Sequence, residues 1–220
     1  MDYNITPEVV IFTKSDQDSG NLTTSKLLSS IFLNFLNLAA PTIVSLNQPD
    51  IPELIDQVNS SQKKKIVVIV HLRRCAEVLS KLDATIPVLA VCGGTDLNED
   101  VYNVDYLKVM TESVQRSRAV IVFTQSMLTR FEEFWPDYKG LLKMIPQAVN
   151  VNRELAYRDL ETHVDWLTKR LGVELTRYFV IVGRLRPVKD PQFALQPFIG
   201  EHIIFNPHVL CFLITTPNMK

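Results

Sequence analysis

The stretch "KIVVIVHLRRCAEVLSKLDATIPVLAVCGG", Lys65–Gly94, decides the fold. It opens on a run rich in β-branched residues, Lys65–His71, passes through the helix-compatible "LRRCAEVLSKL", and returns to an apolar run at Pro87–Gly94. Short apolar runs fit buried strands or buried helix by period alone. The β-branched content and the flanking turn residues favour strands. The same unit recurs outward in both directions. Toward the N-terminus lie "EVVIFTK" (Glu8–Lys14), the helical "GNLTTSKLLSSIFLNFL" and "TIVSLN" (Thr42–Asn47). Toward the C-terminus lie the helical "VYNVDYLKVMTESVQ", "AVIVFTQ" (Ala119–Gln125), the helical "SMLTRFEEFW" and "LLKMIP" (Leu141–Pro146). Strands alternating with helices predict an α/β fold, a Rossmann-like, mostly parallel sheet covered on both faces.

Length and composition bound the rest. The chain has 220 residues, long for one α/β domain and short for two of ordinary size. Residues 1–150 read as the first domain and 151–177 as a polar, helical connector. From 178 to 220, beginning with "YFVIVG", the chain reads as the start of a second α/β domain that is incomplete. The strand "YFVIVG" is expected to have no completed sheet of its own. With 46% apolar and 21% charged residues and a net charge of -1, nothing points to nucleic acid or an anionic membrane as partner. The run "QKKK", Gln62–Lys65, reads as a solvated loop. Three cysteines, Cys75, Cys92 and Cys211, lack metal-ligand spacing and imply reduced, intracellular usage. No signal peptide and no apolar run long enough for a membrane span is evident, which predicts a cytoplasmic protein. The sequons at Asn4, Asn21 and Asn59 then carry no meaning.

Ligands of open parallel sheets bind beyond the carboxyl ends of the strands, so the residues following each run are the candidates. Gly20 and Asn21 open a helix after the first strand, suited to backbone approach by a phosphate or simply to a turn. No G-x-G-x-x-G and no Walker-type loop is present, which argues against a dinucleotide or P-loop site. His71 follows the third strand. It suits a hydrogen bond to a substrate hydroxyl or proton transfer, or else a histidine satisfied by backbone. "GGTDLNED" follows the fourth. Gly93, Gly94, Thr95, Asp96 and Asn98 make either a tight polar loop for sugar hydroxyls or a self-bonded turn. Thr124 and Ser126 read as helix caps. Arg184 and Lys189, in "VGRLRPVKDP", suit a diphosphate, a planar fork beside a point charge, or form a solvated basic turn.

"VGRLRPVKDP" closely resembles the motif that opens the second domain of GT-B glycosyltransferases of family 4. "GGTDLNED" resembles that family's [HG]-G-T-D-[VL]-N loop, and the match runs through most of Asp16–Pro191. The resemblance implies two Rossmann-like domains facing across a cleft, with residues 1–150 on the acceptor side. It implies transfer from a nucleotide sugar with retention, an acceptor it does not identify, and no metal or other cofactor. Arg184 and Lys189 would hold the donor diphosphate and assist its departure. Gly20 and Asn21 would border the phosphates. His71 would take part in catalysis, and the Gly93–Asn98 loop would face the sugar or acceptor. The family's pair of glutamates with seven residues between them is missing, and the pattern stops after Pro191. Pro197 and Gly200 interrupt the helix expected there. A truncated form with a divergent tail from about residue 192 is therefore expected. The alternative function is a catalytically inactive binding module that associates through its unfinished second domain.

Overall fold

The computed structural model describes residues 6–14, 20–148, 160–172, 178–183, 190, 193, 195 and 209–214. The chain divides into two compact units, Met1–Gln147 and Ala148–Lys220.

In the first unit all six apolar runs form strands: β1 Glu8–Thr13, β2 Thr42–Ser45, β3 Lys65–Val70, β4 Val88–Val91, β5 Ala119–Val122 and β6 Leu141–Met144. They make one parallel sheet in the order β2-β1-β3-β4-β5-β6. The fold is Rossmann-like α/β. Each strand stops before its apolar run does, β3 at Val70 rather than His71 and β4 at Val91 rather than Gly94. The residues left over form the carboxyl rim of the sheet.

The helices are α1 Gly20–Phe35, α2 Ile51–Ser60, α3 Ala76–Lys81, α4 Gly94–Asn98, α5 Val104–Arg116 and α6 Gln125–Phe134, with a 3₁₀ turn at Asp100–Tyr102. Helix α1 ends at Asn37, whose φ of 50° lets the Leu38 amide reach back to the Phe32 carbonyl at 3.2 Å, a left-handed stop signal. Helix α2 has no counterpart in the sequence reading. Two prolines hide it, but Pro52 sits in its first turn, where the missing N–H costs nothing. Only Ile55 and Val58 of α2 are fully buried, a narrow stripe that gives a weak periodic signal. The α3 segment begins late, after a turn through Leu72–Cys75. "GGTDLN" is not an open loop: Gly93 is the N-cap of α4, and Asp96 in its first turn reaches back to the Gly93 amide. Asn103 and Thr124 cap α5 and α6 by accepting from backbone amides, as Thr124 was read.

The two sheet faces are unequally covered. One carries Phe12, Val67, Ile69, Ala90 and Val120 under α2, α3, α5 and α6, with Phe131 and Met110 at its centre. On the other, Ile11, Val68 and Val70 pack against Phe32 of α1. Strand β3 lies at the middle of both layers, which is why four consecutive residues of it are buried. At the opposite, amino rim, Glu8 binds Lys63 and Lys65 at 2.5 and 2.7 Å, ties the starts of β1 and β3, and has its carboxyl drawn down to about 2. The lysines of "QKKK" are thus partly paired rather than merely solvated. Asn59 is also engaged: its side chain donates to the Lys81 carbonyl and accepts from the Asp83 amide, both at 2.9 Å.

Gly140 shows how tightly β6 is entered. A Cβ there would lie 2.8 Å from the Arg118 carbonyl and against the Tyr138 hydroxyl. That hydroxyl donates to the Ser117 carbonyl at 3.0 Å, and desolvation pushes its pKa up to about 12. Gly140→Ala is expected to destabilise the chain by about 1–3 kcal/mol, read as a lower urea midpoint with an unchanged slope.

In the second unit, α7 Leu160–Leu171 ends at Gly172, whose φ of 67° suits a left-handed cap. Strand β7 Tyr178–Gly183 pairs in parallel with β8 Val209–Ile214, from Tyr178 beside Val209 to Gly183 beside Ile214. The apolar tail thus supplies β7 with one partner, in a sheet of two strands among the described residues. Arg184 and Lys189 lie outside the described residues.

Candidate functional site

The strand order reverses between β1 and β3. The chain leaves β1 toward β2, then crosses back to β3 and continues to β6. Such a switch point opens a crevice at the carboxyl ends of the two strands, the usual ligand position in open α/β sheets. Thr13 ends β1 and is paired in register with Val70, the last residue of β3. Thr13 is fully buried, and its hydroxyl has no hydrogen-bond partner among the described residues.

His71 is the first residue past β3. Its amide still donates to the Val91 carbonyl at 3.0 Å, continuing the ladder. Its φ is 89°, outside the left-handed helical region and rare for a side chain with a Cβ. Backbone held there costs roughly 1–3 kcal/mol and clusters at functional sites. The turn brings the imidazole against two carboxylates. Nδ1 is 2.5 Å from Asp96 Oδ1, close but poorly aligned for an N–H···O bond, and Nε2 is 3.9 Å from Asp100 Oδ2. The ring is 2% exposed, so the reading of a histidine satisfied by backbone gives way to one packed against acids.

Asp96 is fully buried and holds the turn together. Oδ2 accepts from the Gly93 amide at 2.8 Å and the Leu72 amide at 3.0 Å, and Oδ1 takes a longer contact from the Arg73 amide at 3.4 Å. One carboxylate thereby fixes the ends of β3 and β4 to each other. Asp100 accepts from Arg73 Nε at 2.7 Å, and the Arg73 guanidinium lies 4.2 Å from the Tyr106 ring centre. Ser113 of α5 closes the arrangement from beneath, donating to the Leu72 carbonyl at 3.1 Å.

The structure brings His71, Gly93 and Asp96 together, while Gly94 and Asn98 lie on the exposed side of α4 and Thr95 is half-buried. Asn98 is held through its side-chain oxygen by Arg130 of α6, which also donates to the Leu97 carbonyl at 3.1 Å. Gly20 and Asn21 start α1, and a Cβ on Gly20 would meet open space. Three residues escaped the sequence reading. Thr13 was concealed because a strand-end threonine looks like ordinary β propensity. Arg73 and Asp100 lie in stretches already singled out, but their pairing across 27 positions has no local signature.

His71, Asp96 and Asp100 could each offer one metal-ligand atom, all within 4.8 Å. The fit is poor, because the carboxylates already accept from the Leu72, Arg73 and Gly93 amides and the Arg73 side chain. Behind this cluster sit Cys75 and Cys92, both fully buried free thiols. Burial first, and the nearby Asp96 second, push both thiols well above their ordinary values. Neither is expected to react with a thiol reagent at neutral pH until the chain is unfolded. Rapid labelling of both in the native protein would contradict the placement.

No family model matches the sequence. The glycosyltransferase 1 domain-containing protein 1 of Xenopus tropicalis is 27% identical over 148 residues, covering 67% of this chain and 42% of that protein. The chain thus spans about two fifths of the length of the curated relative it matches. Among solved structures, that of Anabaena Alr3699/HepE in complex with UDP-glucose matches with a TM-score of 0.57 at 14% identity, over 94% of this chain and 69% of that one. At that identity the likeness is one of fold.

Proposed function

We propose that the chain is the acceptor-side domain, with part of the donor-side domain, of a retaining GT-B glycosyltransferase of family 4. The observation that carries this reading is the strained His71 at the β1/β3 switch point, clamped against Asp96. The frog relative's name and the fold shared with a protein solved with UDP-glucose support the same chemistry.

In this reading His71 and the Gly93–Asn98 loop face the reacting sugar or the acceptor at the switch point, and the first turn of α1, at Gly20 and Asn21, presents backbone amides that suit a phosphate. Arg184 and Lys189 neutralise the leaving diphosphate, so no metal is required for its departure. The bond from the anomeric carbon to the diphosphate breaks. An acceptor oxygen bonds to that carbon on the same face, and the acceptor's proton passes to the departing phosphate oxygen. Asp96 orients the imidazole, and Nε2, beyond hydrogen-bond distance of Asp100, is the ring atom left to meet a sugar hydroxyl.

The test is release of nucleoside diphosphate from UDP-, GDP- and ADP-hexoses by the purified chain, with calorimetry for binding. Saturable binding or release with one of the donors supports the reading. Neither binding nor release with any of them overturns it.

A further inference from the structure

The amino rim of the sheet, at the far end of β3 from His71, carries a cavity of about 460 Å³. It lies between the end of α2, the entries to β1 and β3, and the turn that leads into β4. Volumes of a few hundred Å³ suit small organic ligands. The transferase reading makes no use of this end of the molecule, since its ligands sit at the carboxyl ends of the strands.

The lining is of two kinds. Pro7, Val58, Ile66, Ile86 and Pro87 supply apolar surface, and Lys63, Lys64 and Lys65 supply positive charge. The remaining polar groups are turned on one another. The Asp83 carboxylate accepts from the Thr85 amide and hydroxyl at 2.8 and 2.7 Å, and the Asn59 side chain is engaged by the Lys81 carbonyl and the Asp83 amide. Arg116 of α5 backs this turn, donating to the Asp83 and Ile86 carbonyls at 2.6 and 2.9 Å. Glu8 takes one hydrogen bond from Lys63 and one from Lys65, which leaves each ammonium with donors to spare. Lys64 is exposed, and its side chain has no partner among the described residues. Lys63, Lys64, Lys65 and Arg116 thus outnumber Glu8 and Asp83 around one concave, partly apolar space. Such a surplus draws an anion and repels a cation. An inorganic anion would leave the apolar wall wet, and an uncharged apolar ligand would take water from the lysines without replacing it. An anion with an apolar body meets neither penalty.

We propose that this cavity binds a small organic anion, an apolar ring or chain bearing a carboxylate or a phosphate, with its charge toward Lys63–Lys65 and its body toward Val58, Ile86 and Pro87. Phenyl phosphate, titrated into the full chain and followed by amide NMR, tests it. Saturable binding in the millimolar range is expected, with shifts at Val58, Ser61, Lys64 and Thr85. Benzyl alcohol and inorganic phosphate each carry half of the ligand's chemistry and should bind at least about tenfold more weakly. Lys64→Glu, at an exposed position with no side-chain partner to lose, should weaken phenyl phosphate by about tenfold. Added salt should weaken it as well. No saturable binding, shifts at Gly20 and His71 in place of the amino rim, equal affinity for either half of the ligand, or a Lys64→Glu affinity within about twofold of wild type overturns the proposal. The transferase reading is decided separately, by nucleotide-sugar binding.

Discussion

Asp96→Ala is expected to be the most damaging single change at the carboxyl rim. The carboxylate is fully buried and receives the Gly93 and Leu72 amides, with Arg73 and the His71 ring also against it. Alanine leaves those donors buried without an acceptor and removes the link between β3 and β4. Breaking one side of a buried, hydrogen-bonded charge cluster costs about 3–5 kcal/mol. For a unit of this size that corresponds to a fall in melting temperature on the order of 10 °C. Asp96→Asn keeps one acceptor oxygen but turns an NH₂ toward amide donors, so it should recover only part of the loss. Calorimetric melting of the three proteins checks the order wild type, Asn, Ala. An Asp96→Ala variant that melts like wild type would mean that Asp96 does not hold this turn.

The second large effect concerns donor binding. Arg184 and Lys189 follow β7 directly in sequence, within "GRLRPVK". If they grip a diphosphate, each charge-assisted hydrogen bond contributes roughly 1.5–3 kcal/mol. Arg184→Ala and Lys189→Ala should then each weaken nucleotide-sugar binding by roughly 10- to 100-fold. The loss should be shared by the free nucleoside diphosphate and absent for the free sugar. Arg184→Lys should not restore binding, because an ammonium does not reproduce the planar fork. Titration calorimetry with UDP-glucose and UDP measures this. Affinities that stay within twofold of wild type would place the diphosphate elsewhere.

The sheet was legible because β3 and its neighbours are short, β-branched and buried on both faces. Helix α2 was not, because its prolines read as breakers unless the first turn is known to begin there. The start of the site was legible as a rule about position: His71 and Gly93 stand where strands end. Its interior was not. Asp96 in a Gly-Thr-Asp stretch reads as a ligand-facing loop, yet the acid turns inward, because the N-cap glycine lets it reach back to the Gly93 amide. Thr13 and the Arg73–Asp100 pair became visible only once parallel pairing had placed distant residues side by side. The pairing of β7 with β8 lay hidden in a tail whose prolines and histidines broke the expected pattern.

The central claim is that substrate sits at the β1/β3 switch point, against His71. The chain contains four histidines, so the ring resonances can be assigned by single substitutions. The most direct measurement is the Cε1–H signal of His71 during titration with a nucleotide sugar, compared with free UDP and free glucose. A saturable shift of that signal, with the midpoint found by calorimetry, is the predicted result. A bound donor that leaves the His71 signal in place would contradict it.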